Sequence, residues 1–295
     1  MVHQKQVKSV LNKHKKRDDW FLDDYSVNPY EGCSCNCLYC YVRGSKYGEN
    51  MDDGLAVKTN VLDVLEKQLR LRASKNEYGF VAVGSATDAY IHHEKKYALT
   101  QGILQLLLKY RFPVFISTKT TLIQRDIELL KQVSKAAILP HDLQGKLQAG
   151  VIVAASISSL NENITNMLEP GAVIPAQRLQ LIKHLREQGF IAGINAIPLL
   201  PYISDTAEEL DKIIAAAKAH DASFILTGGL TLGGNGVADS KTLYYKFLTR
   251  YNASLIPAYD KLYGDNFYAP RHYHEALKKK AATLCSKHGI KNSIL

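Results

Sequence analysis

Four of the chain's five cysteines fall within eight residues, at Cys33, Cys35, Cys37 and Cys40. Thiolates crowded this closely can converge on one metal or cluster, whereas a disulfide framework spreads its cysteines along the chain. Cys33, Cys37 and Cys40 stand in the arrangement C-x3-C-x2-C. Three thiolates from one short loop can each hold one iron of a [4Fe–4S] cluster, leaving the fourth iron open to an exogenous ligand. Such a site is chemical rather than merely structural. The competing reading is structural zinc, which prefers four protein ligands and usually two separated cysteine pairs. With all four thiols in one loop and no second C-x2-C, zinc fits awkwardly.

Other chemistry-bearing residues give weaker signals. His92-His93-Glu94 has no i, i+4 partner, and adjacent side chains point in different directions, so it reads as a loop running into a helix. Cys285 falls beside an apolar helical stripe and reads as an inert buried thiol. Seven of the 17 tyrosines lie between Tyr244 and Tyr273. Tyrosines can stack on bases, but a Tyr/Leu stripe at helical spacing reads as packing.

The elements that must position the cysteine loop alternate along the chain. Strand-like apolar runs occupy residues 25–28, 80–83, 114–117, 151–155, 191–197 and 224–227. Between them lie helical patterns, such as Leu99, Ile103, Leu106, Leu107 and Tyr110 on one face, or Leu210, Ile213, Ile214 and Ala217 on another. Pro175 suits the first turn of a helix that Gly189 ends. This βα alternation predicts a parallel sheet with helices on its outer face. Periodicity alone does not separate an open doubly wound sheet from a closed or partial barrel. In either, ligands sit beyond the C-terminal ends of the strands. Beyond the Gly-rich residues 233–236, Tyr244, Leu248, Tyr251, Leu255, Tyr259 and Leu262 predict one amphipathic helix. A last helix carries Leu277, Ala281, Leu284 and His288. The expected division is a basic arm over 1–24, a barrel over 25–236 and a helical C-terminal extension over 237–295.

Composition is that of a soluble globular protein, 46% hydrophobic and 22% charged. The longest apolar runs fall far short of the roughly 18–20 residues that span a bilayer, and the charged N-terminus lacks a signal-peptide core. A monomer in a reducing cytoplasm is therefore expected. The net charge of +9 is unevenly placed. Residues 1–17 carry six bases and no acid, and residues 271–295 carry six bases against Glu275. The remainder holds 25 bases and 27 acids. Basic ends can attract phosphates, so a nucleic-acid substrate is permitted, though solvated lysines would look the same.

The stretch Asn28-Pro-Tyr-Glu-Gly-Cys-Ser-Cys-Asn-Cys-Leu-Tyr-Cys-Tyr41 resembles the cluster loop of radical S-adenosylmethionine (SAM) enzymes. More narrowly it resembles the spore photoproduct lyase-like branch, whose loop reads N-P-Y-x-G-C-x-x-x-C-x-Y-C-Y. Further blocks resemble that branch in order: Gly84-Ser-Ala-Thr-Asp-Ala-Tyr90 with Glu94, and Phe115-Ile-Ser-Thr-Lys119 with Arg125-Asp126. Ser156-Ile-Ser158 follows, with Leu168-Glu-Pro-Gly171 and Arg178, and then Asn195-Ala-Ile-Pro198. The blocks span about residues 5–230.

The resemblance implies an α/β fold, a partial (β/α)6 TIM-type barrel. It implies that Cys33, Cys37 and Cys40 bind a [4Fe–4S] cluster whose open iron is chelated by the amino and carboxylate groups of SAM. Reductive cleavage would then release methionine and a 5′-deoxyadenosyl radical that abstracts a substrate hydrogen. It further implies that Tyr39 lies near the adenine and that Gly84, Ser85, Lys119, Ser156, Ser158 and Asn195 line the SAM pocket. An electron donor such as flavodoxin or ferredoxin is implied as a partner. Three features set the sequence apart. Cys35 stands where many relatives have histidine; it reads as a spare ligand, a repair thiol or a loop residue, of which the last is favoured. Ser85 falls at about the place of the hydrogen-donating cysteine of authentic spore photoproduct lyases, and a serine O–H bond is too strong to quench a carbon radical readily. Tyr39 and Tyr41 match tyrosines of a hydrogen relay, yet these positions are aromatic in many radical SAM loops. The expectation is a radical SAM enzyme that is not a thymine-dimer repair enzyme. The alternative is a non-catalytic iron–sulfur or zinc protein that binds nucleic acid through its basic ends.

Overall fold

The computed structural model describes residues 2–45 and 54–295. The chain begins with β1 (Val2–Lys5) and β2 (Asn12–Lys13), then β3 (Asp23–Val27), β4 (Tyr30–Glu31) and β5 (Leu55–Lys58). Helix α1 (Val61–Ser74) leads to β6 (Phe80–Val83), and α2 (Glu94–Tyr97) with α3 (Leu99–Tyr110) leads to β7 (Val114–Thr118). Next come α4 (Ile127–Ala136), β8 (Val151–Ser156), α5 (Glu162–Leu168), α6 (Pro175–Glu187) and β9 (Ile191–Leu199). They are followed by α7 (Ala207–Ala219), β10 (Ile225–Gly229), α8 (Ser240–Asn252), α9 (Ile256–Tyr263) and α10 (Arg271–His288).

The large sheet has the order β10-β9-β8-β7-β6-β3-β2. From β3 to β10 the six strands are parallel and paired in chain order, with helices in the crossovers. Only β2 runs antiparallel, on the β3 edge. This is the six-strand βα succession of a partial barrel, and among the described residues its two edge strands do not pair. The barrel is open.

Alternation along each strand sends one set of side chains outward and the other inward. Val81, Val83, Val114, Ile116, Val151 and Val153 pack outward with Leu65, Leu69, Leu107, Leu130 and Leu181 of the helices. Phe80, Ala82, Phe115, Ile152, Ala154, Phe224 and Leu226 fill the interior. Two residues further along the inward rows, the chemistry changes. Phe115 gives way to Ser117, Ala154 to Ser156, and Gly193 to Asn195. An apolar plug closes the bottom of the arc, and polar side chains mark its C-terminal end.

The basic arm is laid onto the barrel. Val10 and Leu11 are buried in the main core, and their N–H groups donate to Gln68 Oε1 at 3.1 and 2.9 Å. The helix expected across residues 244–262 is two helices. After Asn252 a short 3-10 turn (Ala253–Leu255) intervenes, its Ser254 N–H bonded to Asn252 Oδ1 at 3.1 Å. Pro257, which has no N–H to donate, then sits in the first turn of α9. Tyr/Leu spacing persists across the break because both helices pack the same apolar cluster, which includes Tyr244, Leu248, Tyr259 and Tyr263. The Tyr244 and Tyr259 hydroxyls are 2.9 Å apart inside it. The packing reading holds for Tyr244, Tyr259 and Tyr263, whereas Tyr251 and Tyr268 are exposed. At the far end, Ile225 N–H donates to Lys291 O at 2.9 Å, so the C-terminus runs beside the β10 edge.

Candidate active site

The chain leaves β3 at Val27 and enters the cysteine loop at the C-terminal end of the sheet, where β4 pairs with β5. Asn28 fixes this exit. Its Oδ1 accepts Ala86 N–H at 2.8 Å and its Nδ2 donates to Ser85 Oγ at 3.0 Å, tying the loop to the end of β6. Below, Leu38 N–H donates to Leu168 O at 2.8 Å and Gly171 N–H to Cys35 O at 3.1 Å. A Cβ on Gly171 would stand 1.8 Å from Ser34 O, so only glycine lets the two backbones lie so close.

The loop walls a cavity of about 390 Å³ over the strand ends. Cys33, Cys35, Cys37 and Cys40 all line it, with Tyr39 and Tyr41, and across from them Gly84, Ser85, Lys119, Ser156 and Asn195. Of the residues that the resemblance assigns to the cluster and SAM pocket, Ser158 alone stands off the wall. It is fully buried behind Tyr39 and donates to Glu169 Oε1 at 2.7 Å. Gly84 has a local reason to be glycine, at φ +82°, where a Cβ would meet Ala89 N at 2.6 Å. Tyr39 is buried and donates to Glu169 and, at 3.3 Å, to Ser158; Tyr41 is exposed and donates to Ser85 O. His93 precedes α2 without a side-chain capping bond, and Glu94 is buried with Arg125 at 2.8 Å, an ion pair. Cys285 is buried on α10 in the main core.

Two carboxylates that the sequence presented only inside motifs organise the pocket. Asp88 accepts Lys119 N–H at 2.7 Å, Thr118 Oγ1–H at 2.8 Å, Tyr90 N–H at 2.8 Å and, at 3.7 Å, the Cys35 thiol. Its own N–H points at Cys33 Sγ, 3.4 Å away. The ends of β6 and β7 and the cysteine loop are thereby joined at one residue. Glu169, from the turn after α5, is ion-paired to Arg178 at 2.5 Å and to Lys119 at 3.4 Å. Burial favours its neutral form, yet Lys119 and Arg178, with the Tyr39 and Ser158 hydroxyls, hold its carboxyl down to about 2. Lys119 and Arg178 are offset by Glu169 and Asp88, and of the two cations only Lys119 lines the cavity. Lys119 also donates to Ser156 Oγ. Asn195 lines the cavity and its Nδ2 donates to Ser117 Oγ at 3.1 Å, while its buried Oδ1 has no protein partner.

The thiols differ in environment. The neighbouring Cys35 draws the Cys33 thiol down against the effect of its burial. Cys37 and Cys40 are pushed up by burial. Among the described residues, no three His, Cys, Asp or Glu side chains converge on a point as ligands of a single ion would.

An open six-strand α/β barrel with a three-cysteine loop over its strand ends defines a class of protein, and comparison with known proteins agrees. The radical SAM superfamily model matches residues 27–217. An uncharacterized protein of Mycobacterium tuberculosis (strain ATCC 25618 / H37Rv) is 32% identical over 272 residues, 90% of this chain and 75% of that one. A radical SAM Nalpha-GlyT isomerase of Pseudomonas phage M6 is 24% identical over 205 residues, covering 68% of this chain and 39% of that one. Among solved structures, a spore photoproduct lyase mutant superposes with a TM-score of 0.67 at 13% identity, over 97% of this chain and 79% of that one. Another spore photoproduct lyase mutant, with bound AdoMet and dinucleoside spore photoproduct, gives 0.61 at 14% identity over 92% and 76%. This chain belongs to the radical SAM superfamily, with a spore photoproduct lyase-like fold. The superfamily's cofactors are a [4Fe–4S] cluster and SAM.

Proposed function

We propose that this chain is a hydrogen-abstracting radical SAM enzyme whose cluster is held by Cys33, Cys37 and Cys40. The observation that carries the reading is the placement of these thiols in one wall of a cavity whose opposite wall holds Lys119, Ser156 and Asn195. Bound there, the cluster and SAM supply a 5′-deoxyadenosyl radical that takes a hydrogen from substrate.

The remaining work falls to the chain's own groups. The Lys119 ammonium on the cavity wall attracts the SAM carboxylate, and Ser156 offers it a hydroxyl. The unpartnered Asn195 Oδ1 accepts from the SAM amine or a ribose hydroxyl, which removes the cost of leaving it bare. Tyr39 offers an aromatic wall, its hydroxyl held by Glu169 and Ser158, so Ser158 acts through Tyr39 rather than on the ligand. Gly84 and Ser85 form the rim opposite. Tyr41, exposed at the mouth, is the residue placed to meet substrate. The chain takes its electron from a reducing partner such as flavodoxin or ferredoxin. Among the described residues no helix is long and apolar enough to cross a membrane.

Anaerobic reconstitution tests the ligand set. The wild-type chain and Cys35→Ala should hold about four irons and four sulfides, and Cys33→Ala, Cys37→Ala and Cys40→Ala should each lose them. One zinc per chain, retained by all three variants, would overturn the reading.

A further inference from the structure

The cavity has a neighbour. A groove of about 250 Å³ shares Trp20 and Gly229 with it, so the two spaces meet at the indole. The groove's other wall comes from α10, which contributes Arg271, His274, Glu275 and Lys278. Residues from the two basic ends of the chain, more than two hundred positions apart in sequence, thus face each other beside the cavity.

Trp20 is the chain's single tryptophan, and 47% of its surface is open. An exposed indole would ordinarily be loosely held. Here the Asp18 carboxylate accepts the N–H groups of Trp20 and Phe21 at 2.8 and 2.7 Å, fixing the turn that carries them. Phe21 anchors that turn inside, its ring 5.0 Å from Phe115. The indole rests in a notch at Gly228, where a Cβ would come within 2.9 Å of the ring. Trp20 is therefore a rigid aromatic plate held at the mouth without being buried. Across the groove, Arg271 pairs with Glu275 at 2.7 Å, and Lys278 is exposed, which leaves the α10 wall net positive.

We infer that this groove is a nucleotide subsite for single-stranded nucleic acid, with an unpaired base stacked on Trp20 and phosphate held by Arg271 and Lys278. A flat aromatic plate beside cations is the combination by which unpaired nucleotides are bound, the ring taking the base and the cations tracking the backbone. The inference rests on the cavity's being the reaction site, and gives that site's substrate class: a strand whose reacting nucleotide enters the cavity while its neighbour stacks outside.

Because Trp20 is the only tryptophan, its fluorescence reports the subsite directly. Titration with an eight-nucleotide single-stranded DNA at low salt should quench it saturably. The log of the affinity should fall with log salt by about 0.7 per phosphate neutralised. Arg271→Ala/Lys278→Ala should flatten that slope by about 1.4. Trp20→Ala, followed by anisotropy of a labelled strand, should bind about 5- to 150-fold more weakly, and Trp20→Tyr should recover much of the loss. No quench, unchanged affinity in Trp20→Ala, or equal quenching by polyglutamate would overturn the inference. Formation of 5′-deoxyadenosine, measured separately without DNA, keeps the two claims apart. Quenching without SAM cleavage sinks the enzyme reading alone, and SAM cleavage without quenching sinks the subsite alone.

Discussion

Glu169→Gln tests the electrostatic floor of the pocket. The substitution keeps the shape and removes the charge that offsets Arg178, which is 1% exposed, and the largely buried Lys119. Deleting one partner of a buried ion pair costs about 3–5 kcal/mol, because the other charge stays buried and unpaired. A second route agrees. Holding the Glu169 carboxyl at about 2, against an ordinary value of 4.5, corresponds to about 3 kcal/mol of stability at neutral pH. With an unfolding entropy of about 2.1 cal/mol/K per residue, 3–5 kcal/mol lowers Tm by about 5–8 °C in a chain of this length. The sign with pH follows from the depressed folded value. The contribution is complete above the unfolded value and fades as pH falls from about 4.5 toward about 2. Thermal unfolding of both proteins should show the full gap at pH 7 and less than half of it at pH 3. SAM should stabilise the variant more than the wild type, because its carboxylate restores a countercharge. A gap under about 1 °C at pH 7, or one unchanged at pH 3, would refute the reasoning.

Other outcomes follow from the same contacts. Asp88→Ala strips the acceptor from Lys119 N–H, Thr118 and Tyr90 N–H, each loss costing about 1–3 kcal/mol if left buried; iron retained after reconstitution should fall while circular dichroism shows the helices intact. Gly171→Ala places a methyl 1.8 Å from Ser34 O, so the cysteine loop must shift, and iron content equal to wild type would show that it need not. Cys285→Ala should leave iron content unchanged, since that thiol lies in the main core. DNA carrying spore photoproduct should come back unrepaired, because Ser85 offers no thiol for hydrogen return; recovery of thymine would contradict the assignment.

The strand positions were readable because each apolar run is covered on both faces and so stands out as a short, nearly unbroken block. Whether the sheet is an open wound sheet or a barrel arc was not readable from spacing, since both use the same local pattern; the family blocks pointed to the arc. Cys33, Cys37 and Cys40 were conspicuous by density. Asp88 and Glu169 were not, because single carboxylates acquire meaning only when folding aims backbone N–H groups and cations at them. The break between α8 and α9 was hidden because the apolar spacing survives it, although Pro257 was the available signal. Trp20 gave no sign at all. Its place depends on Gly228 and on α10, both more than two hundred residues away.

The most direct measurement is the yield of 5′-deoxyadenosine from the reconstituted, dithionite-reduced chain given SAM. The account predicts 5′-deoxyadenosine and methionine in equal amounts from the wild type and none from Cys33→Ala, Cys37→Ala or Cys40→Ala. A wild-type chain that holds its full cluster and yields no 5′-deoxyadenosine would contradict it.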